Sequence, residues 1–402
     1  MSTQLPASIS EETVREISAE RDEPDWLRQT RLDALAALED LDMPNVIETP
    51  GRRWTNLEDL DYESIVDPLD QRDVTERVTA EGATVLDFET AVAEHPDLVR
   101  EHFGSVTDPE TNYLTALSTA LFTTGTVIYV PKGVDAEDVK VRAEMNSTSL
   151  FSHTLVVTEE NASATILERV SNGAAVDGDR YFSNVVEVAA GENSYVQYGT
   201  LQNLDEDVYN FTLKRGDADT YATISWIEGN IGSRLTRSDI ETELTGDSSE
   251  TKIVGAFFGH NDQHLDINAR VWHHGEHTTA DLVTRGVLDD EARSVYEGVQ
   301  DVGRDAWDTS SYQRENTLML SDDSEADASP KLIIHNHDTE ASHSATVGQV
   351  DAEDLFYMTS RTIPERTARN MLVEGFFVPV LEEVEVDELR EDIDDLIVAR
   401  LD

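Results

Sequence analysis

The sequence predicts a mainly β protein, most simply a β-solenoid, with helical regions at both ends. From Gly125 onward short β-rich runs dominate, among them TVIYV, SHTLVVT, KIVGAFFG and DINARVW, separated by acidic, Gly or Asn turns. A weak repeat returns about every 25 to 32 residues, in VVTEENASATIL, VEVAAGENSYVQY, LKRGDADTYATI and ELTGDSSETKIV, which is the spacing of solenoid coils. No helical segment long enough for a crossover separates the runs, which argues against a Rossmann or barrel enzyme. Stacked coils bury a continuous core. A jelly roll or sandwich fits the same pattern.

The elements follow in chain order. Between Ser10 and Leu41 the apolar positions Val14, Ile17, Trp26, Leu32, Leu35, Leu38 and Leu41 fit helices interrupted at Pro24. Pro44, Pro50 and Gly51 break the pattern. A mixed region to about Ser105 holds helices over Asp87 to Glu94 and near Leu98 to His102, and YLTALSTALF (Tyr113 to Phe122) is one more helix. The expected division is an N-terminal helical and mixed region over 1–122, a β core over 123–350 and a C-terminal helical region over 351–402. In the last of the core, KLIIHNHD (Lys331 to Asp338) reads as a strand with His335 and His337 on one face, since strand side chains alternate. Ser342 to Gly348 read as a small-residue loop. Asp351 and Asp354 then cap a helix through Leu355, Phe356, Tyr357 and Met358. Pro364 opens a second helix, with Ala368, Met371, Leu372 and Gly375 spaced to pack. From Asp387 the spacing of Leu389, Ile393, Leu396 and Ile397 predicts an amphipathic helix whose apolar face needs a cover, from this chain or another.

The charge is extreme. Against 83 acidic residues stand 30 basic ones in 402, five Lys and 25 Arg, for a net charge of -53. Such a chain repels nucleic acid and anionic lipid. With 39% apolar residues and regular strand patterns it reads as a folded protein adapted to a high-salt cytoplasm rather than a disordered acidic one. Cysteine is absent, so there is no disulfide, no thiolate nucleophile and no sulfur ligand. The opening residues MSTQLPASISEETVRE lack the basic and apolar segments of a signal peptide, and no run of 18 apolar residues occurs. A soluble cytoplasmic protein is expected.

Candidate chemistry centres on histidine. Eight of 11 His lie between His260 and His343: His260, His264, His273, His274, His277, His335, His337 and His343. Imidazole is the commonest transition-metal ligand, so the cluster raises a metal site. GHNDQHLD and HHGEH both read as turns, however, so a shared helix face is not assured for His260 and His264. VPKGV lacks the glycine spacing of a phosphate loop, and neither G-x-S-x-G nor HExxH occurs. Carboxylates are too many for any pair to signal acid/base catalysis.

Asp338, His343, Ala345, Thr346, Val347, Gly348, Asp351, Leu355, Phe356, Tyr357, Ser360, Arg361 and Ile363 fall in one long register. This stretch resembles the C-terminal region of the SufB/SufD family of iron-sulfur cluster assembly proteins, in the pattern of its SufD branch. DEPDWLRQTRLDAL (Asp22 to Leu35), GTVIYVPKGV (Gly125 to Val134) and TRGVLDDEARSVYEG (Thr284 to Gly298) extend the likeness over nearly the whole chain. The chain departs from the pattern at Ala341, where some members have Cys, and at Thr362, where the family usually has Gly. The resemblance implies a central right-handed parallel β-helix (solenoid) between helical ends. It also implies a non-catalytic subunit that pairs with a SufB-like paralogue and recruits a SufC-like ABC ATPase, with a homodimer as an alternative form in the absence of its partner. No cofactor is then held stably by this chain alone; iron or a nascent cluster is shared transiently with the partner. By the same resemblance His343 is a candidate iron site at the partner interface, with His335 and His337 as nearby groups, and Leu355, Phe356, Tyr357, Arg361 and Ile363 contribute to the ATPase surface. The rival readings are a SufB-like scaffold using His and carboxylate ligands, and a β-helix carbohydrate-active enzyme, which predicts secretion.

Overall fold

A computed structural model describes residues 8–41, 48–49, 52–53, 65–174, 176–384 and 386–401. The predicted break at Pro44, Pro50 and Gly51 lies outside the described residues. The N-terminal helices form where the periodicity placed them. Ser10 caps α1 (Glu11–Glu20) by accepting from the Thr13 N–H, and Pro24 stands before α2 (Asp25–Ala37). A two-residue antiparallel pair, β1 (Glu48–Thr49) and β2 (Arg52–Arg53), precedes β3 (Asp73–Val78) and β4 (Thr84–Asp87). Asp87 caps α3 (Phe88–Glu94), Pro96 opens α4 (Pro96–His102), and Asn112 caps α5 (Tyr113–Leu121). The buried Arg31 guanidinium joins these helices. It forks onto Glu23 and donates to the Thr119 and Ala120 carbonyls at the end of α5, where the helix dipole favours a cation.

The chain then winds through a parallel β-solenoid of about eight turns, as the repeat predicts. One sheet, here the back sheet, stacks β5 (Thr124–Val130), β7 (Ser149–Thr158), β9 (Arg180–Ala190), β11 (Val208–Ala218), β13 (Leu235–Leu244), β15 (His264–His273), β17 (Arg293–Val302) and β19 (Glu325–Ile334). The front sheet stacks β6 (Asp135–Met145), β8 (Ser163–Asn172), β10 (Tyr195–Asn203), β12 (Thr223–Asn230), β14 (Glu250–Gly259), β16 (Thr279–Leu288), β18 (Thr309–Met319) and β20 (Thr339–Gln349). Register advances one coil at a time: Tyr195 pairs with Thr223, Thr223 with Glu250 and Glu250 with Thr279. At one corner Asn161, Asn193, Tyr221, Ser248, His277 and Asp308 all adopt positive φ, so the turns stack as the strands do. Antiparallel β3 and β4 close the first coil.

Alternation decides the packing. Inward rows, including Val156, Val188, Ile240, Ile166, Tyr198, Ile224 and Trp226, fill the space between the sheets. Outward rows of the back sheet, Leu155, Val185, Phe211 and Leu213, are covered by the N-terminal helices through Phe88, Phe103 and Phe122. Those of the front sheet, Leu167, Leu201, Ile227, Val254 and Phe258, lie under the last two helices. Strands buried on both faces read as unbroken apolar runs, which explains KIVGAFFG.

After β20 come α6 (Ala352–Thr359), α7 (Glu365–Leu381) and α8 (Asp387–Leu401). Asp351 caps α6 and Pro364 stands before α7. The apolar face of α8 is covered by this chain's own sheet: Leu389, Ile393 and Ile397 are fully buried. Gly199 and Gly229 permit the approach, because a Cβ on Gly199 would meet Leu389 Cδ2 at 2.4 Å and one on Gly229 would meet Ile393 Cγ1 at 3.1 Å. Three expectations need correction. Ser342 to Gly348 are strand, since every residue pairs in parallel register with β18, and a backbone ladder outweighs the turn preference of small residues. His335 and His337 share no strand face: β19 ends at Ile334, and both sit in a turn that the Asn336 side chain ties to the Gly303 and Ala306 carbonyls. In α7, Ala368 is buried as expected, but Met371 and Gly375 are exposed; the packing stripe is Val373, Phe377 and Val380.

Candidate functional site

The last coil is open. Among the described residues β20 pairs only with β18 and β19 only with β17, so within them each sheet ends in an open strand edge. Around it Ile334 and Val347 are each 42% exposed. His343 lies on β20 directly beside Gln313, on the row that continues inward-facing Ser311, Gln313, Glu315 and Thr317. That row is polar and buried, whereas His343 is exposed because no further coil covers it. Burial pushes the Glu315 carboxyl up to about 7.

Most other histidines are dispersed, each with its own partner. His335 Nε2 stands 3.8 Å from Asp301, and His337 is exposed in the same turn. His260 meets Glu206 at 2.9 Å and also contacts Arg400. His273 Nδ1 bonds Thr278 at 2.8 Å, His274 meets Glu243, and His277 Nδ1 bonds Asp308 at 2.8 Å. Burial pushes His264 and His273 down to about 4, favouring the neutral imidazole. Among the described residues no three of His, Asp and Glu gather in a way that could hold a metal ion.

The five residues expected at a docking surface lie on or just after α6, a helix with no buried residue. Phe356 is 72% and Tyr357 57% exposed, while Leu355 and Ile363 are half-buried. The Arg361 guanidinium lies 3.4 Å from the Tyr357 ring centroid, a cation–π contact that fixes both. The turn runs through Thr362 at φ 67°, the left-handed region that a glycine would occupy without strain.

Sequence reading missed the polar interior. Gln313 and Glu315 lie in β18, where the period-two row in SSYQRENT was the available signal. Deeper in the solenoid, Lys214 donates to Thr200 Oγ1 at 2.5 Å and to Glu228, with Glu168 close by and held by Asn184 Nδ2 at 3.2 Å. All are buried, and burial pushes both glutamates up while the Lys214 charge pulls them back.

Residues 141–376 match the profile described as "SUF system FeS cluster assembly, SufBD core domain", and residues 54–140 match "SufBD protein N-terminal region". The chain is 30% identical to the iron-sulfur cluster assembly protein SufD of Bacillus subtilis, over 98% of both chains. It is 29% identical to SufB of the same organism, over 94% of this chain and 90% of that one. A SufBD family protein of Synechocystis is 27% identical over 99% and 94%. The identities to SufD and SufB differ too little to separate the two branches. Among the described residues no helix is long and apolar enough to cross a membrane.

Proposed function

The chain belongs to the SufB/SufD family of iron-sulfur cluster assembly proteins, and from that membership we propose that it acts as a SufD-like, non-catalytic subunit of a cytoplasmic assembly machine. The observation that carries this reading is the open final coil. An exposed strand edge with apolar residues beside it is a template for pairing with another chain, and folded proteins otherwise cover or charge such edges. A SufB-like paralogue is the partner that fits. Iron or a nascent cluster is then cargo between the two chains, with His343 as this chain's donor and His335 and His337 at the margin. Because this chain has no Cys, thiolate ligation and sulfur acceptance fall to the partner.

The second surface is α6. Phe356 and Tyr357 project without cover, and with Leu355, Arg361 and Ile363 they offer a SufC-like ATPase an aromatic and arginine patch of the kind that dominates interface energetics. Cutting the chain at Val350 would be a poor test, since α7 and α8 cover the front sheet. Co-purification in high salt with the SufB-like and SufC-like proteins of the same organism is the direct one. The intact chain should hold both; F356A/Y357A should lose only the ATPase and V347D only the paralogue. An intact, folded chain that holds neither overturns the proposal. His343→Ala should leave both partners bound and lower cluster yield, and unchanged yield removes any chemical role for this residue.

A further inference from the structure

At the open end of the solenoid two buried oxygens lack partners. Gln313 Oε1 and Glu315 Oε2 are both enclosed, and neither accepts a hydrogen bond. Glu315 uses only its other oxygen, for the Thr317 hydroxyl, while the Gln313 amide reaches across the interior to Tyr296 OH at 3.3 Å. That crossing depends on Gly298 of β17, where a Cβ would lie 1.6 Å from Gln313 Nε2. The amide and carboxyl are thus held facing inward, in the last coil that has a neighbour on both sides.

Unpaired buried acceptors are costly, about 1–3 kcal/mol each and more for charged groups. A donor or a cation relieves them. His343 is the next side chain on that row, level with Gln313, and Glu315 is level with Ala345. Glu315 and His343 are therefore diagonal neighbours on one face, about 7–8 Å apart by strand geometry. With metal bonds of about 2.0–2.2 Å to imidazole nitrogen and carboxylate oxygen, the two side chains can meet at one ion. Two oxygens and one nitrogen suit a borderline divalent cation such as Fe(II).

We propose that Glu315, seconded by Gln313, is a further metal-binding residue of this chain, sharing with His343 an Fe(II) ion at the mouth of the solenoid. This rests on the reading of His343 as an iron donor and adds to it a carboxylate from the preceding coil. It also states why the half-site is incomplete here: the remaining positions face the open end, where the partner docks.

The test is Fe(II) binding under anaerobic dialysis by the complex of this chain with its SufB-like partner. E315Q keeps size and shape and should weaken binding on the order of tenfold or more; H343A should weaken it further, and E315Q/H343A should be little worse than H343A, as for two ligands of one ion. E315D, which withdraws the carboxylate by one methylene, should also bind less Fe(II). Melting and complex formation are measured for every variant. If H343A loses Fe(II) while E315Q and E315D bind as the unaltered complex does, the assignment of Glu315 fails and that of His343 stands. If H343A binds normally, both fail. If neither Glu315 variant assembles, the carboxyl is structural and the proposal is overturned.

Discussion

Glu187 receives His153 Nε2 at 2.8 Å on the outward face of the back sheet, both side chains almost completely buried. The same carboxylate accepts the backbone N–H groups of Gly104 at 2.9 Å, Val106 at 3.1 Å and Thr107 at 3.0 Å. Phe88, Phe103 and Phe122 ring the imidazole. One carboxylate therefore straps the N-terminal region to the solenoid.

Glu187→Ala leaves three backbone donors and one imidazole without a partner. The expected loss is about 3–5 kcal/mol, read as a fall in the denaturant midpoint, with early proteolysis near Gly104. A loss under about 1 kcal/mol would mean that water replaces the carboxylate and that the strap is not structural.

Lys214→Met leaves Glu168 and Glu228 buried without a cation. Their folded pKa values, already raised by burial, rise further, so the destabilisation is largest at neutral and higher pH. It shrinks as pH falls toward the ordinary glutamate value of about 4.3, where both forms of the chain bind the protons. K214M/E168Q/E228Q should recover most of the stability at pH 7. Equal destabilisation at pH 5 and pH 8 would contradict this electrostatic account.

Glu388, in the first turn of α8, accepts from Lys140, Arg169 and Arg142, with Lys140 the largest cause of a carboxyl pulled down to about 2. A depressed carboxyl stabilises above its unfolded pKa and loses that contribution as pH falls through the folded one. The stability difference between the native chain and E388Q should therefore be constant above about pH 5 and vanish between about pH 4 and 2. A difference that persists at pH 2 would point to packing instead of charge.

Thr362 occupies the left-handed region at φ 67°. A β-branched residue is strained there by roughly 1–2 kcal/mol, which glycine relieves. T362G should raise the melting temperature without changing the exposure of Phe356 and Tyr357; a lowered melting temperature would show that the threonine side chain contributes contacts worth more than the strain.

Removing salt should destabilise the whole chain. At a net charge of -53, lengthening the screening distance from about 3 Å at 1 M to about 10 Å at 0.1 M salt lets carboxylates on neighbouring coils repel. Thermal melts across KCl concentration should rise steeply with salt, and a flat response would remove the high-salt adaptation.

Much was legible in the chain because it depends on local periodicity. Apolar spacing around Val14, Leu35 and Leu117 defined the N-terminal helices, and the returning turn residues near Asn161, Asn193 and Ser248 marked the coils, since each coil repeats the same backbone problem. The capping signal at Asp351 marked the start of α6. What the tertiary structure alone decided are relations across coils. Whether Ser342 to Gly348 form loop or strand depends on a backbone ladder with β18 that no local preference encodes. Glu187 and His153 are 34 residues apart, and Gln313 reaches Tyr296 only where Gly298 leaves room. Side-chain alternation says which residues share a face, but only stacking says which rows meet, and burial then turns ordinary glutamates such as Glu168, Glu228 and Glu315 into groups whose partners matter.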